Sequence, residues 1–318
     1  MKRKVLKIGP ATLVVSLPAQ WTKKFNIKKG DELQLTEYEK SLQVTTNSKI
    51  SLKNKTIDIS RYNPLIMRTL GMLYKAGFSE IKIFYDDSLK SYRGKEYNEL
   101  KLIKRAVDSY SGMDIKEIKK EKDSNYILLV ERAELLPNEF KNTLNQAFYH
   151  LSLISEEVLE AIRKNNCNLG EKINLTDNLI NQATNFCQKI LNTRGYEEYS
   201  KTCFVYQVVV GIEEIGDKFR LMYDYFKEKN IKLSEKISEY FIEISGLIEE
   251  LHALYRAFDK KKLTAFAGKC IKIMDSLDVV LGKCKKYDLK ILIFLENITE
   301  RVYDLLEPII AINHEKLE

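Results

Sequence analysis

From Asn138, just past Pro137, apolar side chains recur every three to four residues until the chain ends. That 3.6-residue period admits little besides amphipathic helices packed in a bundle. Phe140, Leu144, Phe148, Leu151, Val158 and Ile162 line a first helix, and Leu175, Leu179, Ala183, Phe186 and Ile190 a second that halts near Gly195. A third spans Tyr199 to Lys229. Ser234 caps a fourth that carries Ile237, Phe241, Ile244, Ile248, Leu251 and Phe258. Leu263, Phe266, Cys270, Ile273, Leu277 and Leu281 mark the fifth, and Ile291, Leu295, Ile298, Val302, Leu305 and Ile309 the last. Six helices in two groups of three predict a pair of three-helix bundles over residues 138–315. A repeated phrase points to duplication: Ile212-Glu213-Glu214-Ile215-Gly216-Asp217 corresponds to Leu295-Glu296-Asn297-Ile298-Thr299-Glu300, 83 residues on.

The opposite end of the chain is distinguished by charge. Residues 1–30 hold Lys2, Arg3, Lys4, Lys7, Lys23, Lys24, Lys28 and Lys29 and not one Asp or Glu, whereas the rest carries 44 bases against 45 acids. The whole excess of +7 therefore sits at one end. A concentrated cationic patch attracts polyanions, nucleic acid or an anionic membrane surface, where an even spread would speak only to solubility.

Residues 1–47 read as β-structure around one short helix. Val5 to Ile8 and Thr12 to Leu17 are apolar and β-branched, with Gly9-Pro10 between them, and Pro18 opens a helical turn through Trp21, Lys24 and Phe25. Leu33, Leu35, Leu42 and Val44 flank a hairpin tip at Glu39-Lys40-Ser41. Four such strands bury little surface, so dimerisation by strand exchange would supply the missing core. Residues 50–135 alternate strand and helix and predict a small α/β sandwich. Ile57 and Ile59 mark a strand, and Asn63-Pro64 an N-cap with proline at the first helical position. A helix through Leu65, Leu70, Leu73 and Tyr74 stops at Gly77. Ile81 to Tyr85 is a strand, Leu100 to Tyr110 a helix stopping at Gly112, and Tyr126 to Val130 a closing strand. The mixed-sign stretch Lys116 to Lys122 reads as a solvated loop.

No apolar run reaches the ~18 to 20 residues of a membrane span, since Gln207 interrupts the longest, Cys203 to Ile212. Lys7, Pro10 and Pro18 break any signal-peptide pattern, so a cytoplasmic protein without membrane insertion is expected. Cys167, Cys187, Cys203, Cys270 and Cys284 form no C-x-x-C pair and read as reduced core thiols. His150, His252 and His314 are isolated, and the chain has neither a Gly-x-Ser-x-Gly elbow nor a Walker loop, which argues against an enzyme. Glu249-Glu250-Leu251-His252 is a single Glu-x-x-His step where di-iron bundles use two, so an oxidase is disfavoured.

On a helix, Glu213 and Asp217 share one face, as do Glu296, Glu300 and Asp304. Like charges so close call for a cation: an oxygen-liganded hard metal or iron, or a Lys or Arg from a neighbouring helix.

Two resemblances organise these readings. Arg3-Lys4-Val5, Lys7-Ile8-Gly9, Thr12-Leu13-Val14-Val15-Ser16-Leu17-Pro18 and Lys28-Lys29-Gly30-Asp31 resemble the SpoVT/AbrB swapped-hairpin DNA-binding domain. The resemblance implies a homodimer in which Arg3, Lys4, Lys7, Lys23 and Lys24 face DNA. Pro10 and Ala11 stand where many members carry a basic or polar residue. The phrase Ile-Glu-Glu-Ile-Gly-Asp, with Glu213 and Asp217, is similar to the signature of the PhoU family of phosphate-uptake regulators, archaeal members of which join the two parts in this order. It implies divalent or iron-type metal ions on (Glu/Asp)-x-x-x-Asp pairs, with Asp177 near the other acidic ligand position and Glu296, Glu300 and Asp304 in the second half. There Glu300 replaces the usual Asp, and Asp275 and Asp278 are loosely placed. The expectation is thus a multidomain α+β chain: an AbrB-like module, an α/β sandwich and a PhoU-like helical domain. It would act as a DNA-binding regulator of phosphate uptake. The alternative is an adaptor that pairs through its hairpins without touching DNA and docks on a phosphate transporter or sensor kinase.

Overall fold

Gly9, at φ +83°, lets the chain reverse so that β1 (Leu6–Lys7) pairs antiparallel with β2 (Leu13–Val14), Leu6 opposite Val14. Both strands are shorter than the apolar runs that announce them. Pro18 then precedes α1 (Ala19–Lys24), with Lys23 and Lys24 in its last turn, where the helix dipole favours cations. β3 (Leu33–Tyr38) and β4 (Ser41–Thr46) close an antiparallel hairpin in the register Leu35 to Val44. The structure is a computed structural model that describes residues 1–38, 41–46, 53–86, 89–92, 95–121, 124–132, 137–229, 231, 233–281 and 286–317. Glu39 and Lys40 of the expected hairpin tip, Lys122 and Cys284 lie outside the described residues, as does the side chain of Asp278. The chain divides into two compact units, Met1–Leu52 and Lys53–Glu318.

In the second unit, β5 (Lys53–Asp58), α2 (Ile66–Lys75) and β6 (Phe78–Tyr85) form a β-α-β crossover with β5 and β6 parallel. A short hairpin of β7 (Leu89–Tyr92) and β8 (Lys95–Asn98) leads into α3 (Glu99–Val107), whose N-cap Asn98 accepts a hydrogen bond from the Lys101 amide at 2.9 Å. β9 (Met113–Glu121) and β10 (Ser124–Glu131) complete a sheet of order β5-β6-β10-β9. Ile81, Ile83, Ile127 and Leu129 meet Leu70 and Tyr74 of α2 and Leu102, Ile103 and Ala106 of α3 in one buried cluster. On β6 burial alternates strictly, as a strand covered on one face requires.

Two expectations need correction here. The stretch that begins at Lys116 belongs to strand β9 and not to a loop, and its mixed charges belong to an edge strand. Charged side chains are the usual protection for such an edge, and they disguise it in sequence. Asn63-Pro64 does not start α2. That peptide bond is cis and lies in the preceding turn, and the helix begins at Ile66 after Leu65.

Gly77 does end the α2 segment, with φ +80°, and a Cβ there would collide with Thr193 Cγ2 on the helix packed behind it. Gly77→Ala is therefore expected to destabilise the fold by about 1–3 kcal/mol, from left-handed backbone strain alone. A urea titration that leaves the midpoint unmoved would show that neither constraint is real.

The helical part comprises α4 (Phe140–Arg163), α5 (Gly170–Arg194), α6 (Thr202–Lys229), α7 (Glu235–Arg256), α8 (Lys260–Leu281), α9 (Lys286–Asp304) and the short α10 (Leu306–Ile312). α4, α5 and α6 pack pairwise on one another, as do α7, α8 and α9. The two triads share a single buried core, joined where α4 meets α7 and α6 meets α9 and α10. The expected last helix is two: it breaks at Leu305. Pro308 lacks the N–H that would bond back to Asp304 and crowds that carbonyl, so the ladder cannot run through. α6 crosses closely there, because a Cβ on Gly211 would lie 2.5 Å from Leu305 Cδ2. Among the described cysteines Cys187 and Cys270 are buried, and burial drives both thiols well above their ordinary range, but Cys203 is exposed and is not a core thiol. Among the described residues no helix is long and apolar enough to cross a membrane.

The sheet layer is held to the helices by a polar stripe. Gln182, Asn185, Lys189 and Asn192 recur at helical spacing along α5. The amides donate to the carbonyls of Asp108 (2.6 Å), Ser109 (3.1 Å) and Lys75 (3.2 Å), at the C-terminal ends of α3 and α2. Those carbonyls have no partner within their own helices, so α5 caps both at once. Lys189, buried, reaches Glu131 at 2.8 Å and sits 4.6 Å above the ring of Tyr74, itself stacked on Tyr110.

Candidate nucleic-acid interface and acidic helix faces

Arg3, Lys4, Lys7, Lys23 and Lys24, the expected DNA-facing residues, are all exposed, as are Lys2, Lys28 and Lys29. Among the described residues no ion pair engages any of the eight. Lys24 lies 5.4 Å from the Phe25 ring centroid, and Phe25 packs against Trp21 at 5.8 Å, so the helix end is stiffened by aromatic contact while its ammonium groups stay in water. The turn after α1 is pinned by the Lys28 amide, which donates to Asp31 Oδ2 at 2.7 Å.

No described residue among the first 46 is buried. Leu6, Ile8, Leu13 and Leu35 are 57%, 63%, 68% and 60% exposed, values that a finished core would not leave. As one chain, this segment has secondary structure and no interior. Large exposed apolar patches mark interaction surfaces, for a protein, a membrane or a ligand.

The six expected metal ligands lie on three helices: Asp177 on α5, Glu213 and Asp217 on α6, and Glu296, Glu300 and Asp304 on α9. Asp177 is buried and faces the equally buried Arg220 of α6, Nε to Oδ2 3.4 Å, while Asn181 donates to it at 3.4 Å. Arg220 also holds Asp224 at 2.6 Å. Glu213 accepts a hydrogen bond from Gln188 at 2.9 Å and has Lys75 at 3.6 Å. Gln188 in turn accepts from the Tyr206 hydroxyl at 3.1 Å. Glu214 pairs with Arg301 of α9, which also stands 3.9 Å from Asp304. Glu296 and Asp217 are half-buried, and Glu300 is exposed to solvent.

Divalent or iron-type ions need several oxygen, nitrogen or sulfur donors converging on one point. Among the described residues no three His, Cys, Asp or Glu side chains are so arranged. Among the printed contacts, Arg220 meets Asp177, Lys75 and Gln188 meet Glu213, and Arg301 meets Glu214 and stands near Asp304. Sequence reasoning did not single out Arg220, Arg301, Gln188 or Lys75. The spacing Asp217-x-x-Arg220-x-x-x-Asp224 was readable as a local helical pair. The partner on α5 was not. Comparison of the chain with protein-family models, with curated proteins and with solved structures returned no match.

Proposed function

We propose that the chain is a homodimeric, DNA-binding transcriptional regulator of phosphate uptake, acting in the cytoplasm. In this reading the N-terminal module pairs two chains and grips the duplex, and the helical part reports phosphate status. The observation that carries it is the run of eight exposed cations in residues 1–30, with no acid among them and no ion pair at any of them among the described residues. A cation already engaged by a carboxylate gains little by moving to a phosphate. These have nothing to give up, and condensed counterions released from DNA would drive the association. Support for pairing comes from the uncovered leucines and isoleucines of the same module, which would find their interior in a second copy. The phosphate assignment rests on the resemblance of the Glu213 to Asp217 phrase.

The test is duplex binding by the full chain over a series of salt concentrations. Log affinity is expected to fall linearly with log salt, and Lys23→Ala/Lys24→Ala to flatten the slope by about 0.9 for each DNA phosphate that is no longer neutralised. The exposed sites make misfolding no explanation for weaker binding. Binding that is absent at low salt, or a slope unchanged in the variant, would remove the reading. Inorganic phosphate added to the same titration should shift the affinity.

A further inference from the structure

Between Asp58 and Glu80 the chain carries no acidic residue, only the bases Arg61, Arg68 and Lys75. α2 lies in this stretch, and Ile66, Leu70 and Tyr74 bury its inward face. A helix with one face in water carries polar groups there. The outward stripe of α2 instead holds Leu65, Arg68 and Met72, at i, i+3 and i+7, with Leu65 and Met72 each more than half exposed. Tyr62, whose carbonyl accepts the Leu65 amide, extends the same exposed stripe by one turn.

α3 continues this surface. β5 runs parallel to β6, and β9 runs with β6 because both are antiparallel to β10. Each helix is therefore the return between two parallel strands, so α2 and α3 point the same way, and they pack together on one face of the sheet. α3 turns Leu102, Ile103 and Ala106 inward and Lys101, Lys104 and Arg105 outward, at i, i+3 and i+4. Asp108 ends that stripe where it meets α5, and Glu99 is buried. Arg68, Lys101, Lys104 and Arg105 are exposed, and among the described residues no ion pair engages any of them. Arg61 is partly answered by Asp58, which lies within its field.

We infer that the outward face of α2 and α3 lies against an anionic lipid bilayer, with Arg68, Lys101, Lys104 and Arg105 among the headgroup phosphates and Leu65, Met72 and Tyr62 at the acyl boundary. Charge complementarity selects a polyanion, and each Lys or Arg held near an anionic bilayer strengthens attachment about fivefold. The apolar side chains select among polyanions. A nucleic-acid backbone would pair with the cations and leave Leu65 and Met72 in water, whereas a bilayer takes an apolar face about 5–10 Å into its headgroup and acyl boundary. Attachment of this kind needs no spanning helix, and among the described residues there is none. The DNA-binding reading uses none of these residues, so the two stand or fall separately.

The experiment uses the full chain with vesicles of phosphatidylcholine, alone or with one quarter phosphatidylglycerol. Trp21 is the single tryptophan, so Trp21→Phe/Leu65→Trp places the only indole on the α2 face. With anionic vesicles its emission should shift to the blue and be quenched by brominated acyl chains, and with neutral vesicles it should not move. Adding Lys104→Ala/Arg105→Ala should weaken the binding read from that shift about 25-fold, fivefold for each cation. Adding Lys23→Ala/Lys24→Ala should leave the quenching at saturating lipid in place. Met72→Glu should abolish it while circular dichroism reports an intact fold, because the site is exposed. The inference is overturned if the chain sediments with anionic vesicles while the indole emission stays put, which would assign attachment to residues 1–30. It is equally overturned if no vesicle is bound, or if duplex DNA moves the emission as the vesicles do.

Discussion

Replacing Arg220 by alanine is expected to cost the second unit about 3–5 kcal/mol, because it strands a carboxylate in the interior. Asp177 and Arg220 are both buried, and their side chains are 9% and 7% exposed. At that depth the Coulomb gain of the pair roughly offsets the desolvation of its two charges, so the intact pair adds little by itself. Removing one partner is different, because the remaining charge keeps its desolvation cost without the compensation. Native domains have about 5–15 kcal/mol to lose, so such a change removes a large share of it. Asp224 contributes little to the effect, since its side chain is 53% exposed and water can replace the guanidinium. The double variant Asp177→Leu/Arg220→Met should recover most of the deficit, because well-packed apolar groups substitute for a buried ion pair at little net cost. Urea titration of the two variants decides the matter. An Arg220→Ala protein within about 1 kcal/mol of the parent would mean that the pair is wetter than its geometry indicates.

Phe219→Ala should cost a comparable amount, about 3–5 kcal/mol, for a different reason. Phe219 is fully buried on α6 and its ring stacks 5.9 Å from Phe241 of α7, so it belongs to both helical triads. Truncation forfeits the transfer free energy of the ring and leaves a cavity that two rigid helices cannot close. Phe219→Leu retains most of the volume and should cost clearly less. The informative readout is the shape of the transition as well as its midpoint. One core runs through both triads, so unfolding should stay a single step with an unchanged dependence on denaturant. A split transition would show that the triads are separable and that Phe219 is no tie between them.

Both sites illustrate what could be read from residues alone. The helical period of Phe219, Phe241 and their neighbours was legible, because burial of one stripe is a local consequence of 3.6 residues per turn. Grouping into threes followed from the six helical stripes, with the repeated phrase as a sign of duplication, and Ile212, Ile215, Leu295 and Ile298 are all buried in one shared core. Where two local signals competed, the reading went astray. Edge strand β9 carries the charge mixture of a loop, and Pro308 interrupts a pattern whose apolar spacing continues unbroken. The acidic faces were legible as faces, but what sits opposite them was not. Lys75 reaches Glu213 across a sequence separation that no periodicity spans, and Arg220 meets Asp177 from another helix.

The same boundary runs through the whole chain. Sequence alone determined most of the helices, the concentration of positive charge in residues 1–30 and most of the residues each helix turns inward, because these depend on neighbours within a few positions; Leu175, on the expected stripe, is 59% exposed. Tertiary structure decided that Arg220 meets Asp177, that Lys75 meets Glu213, and that one stripe of α5 caps α2 and α3. Each of those outcomes depends on which surfaces meet, and that is set by packing the entire core at once and not by any segment's own preferences.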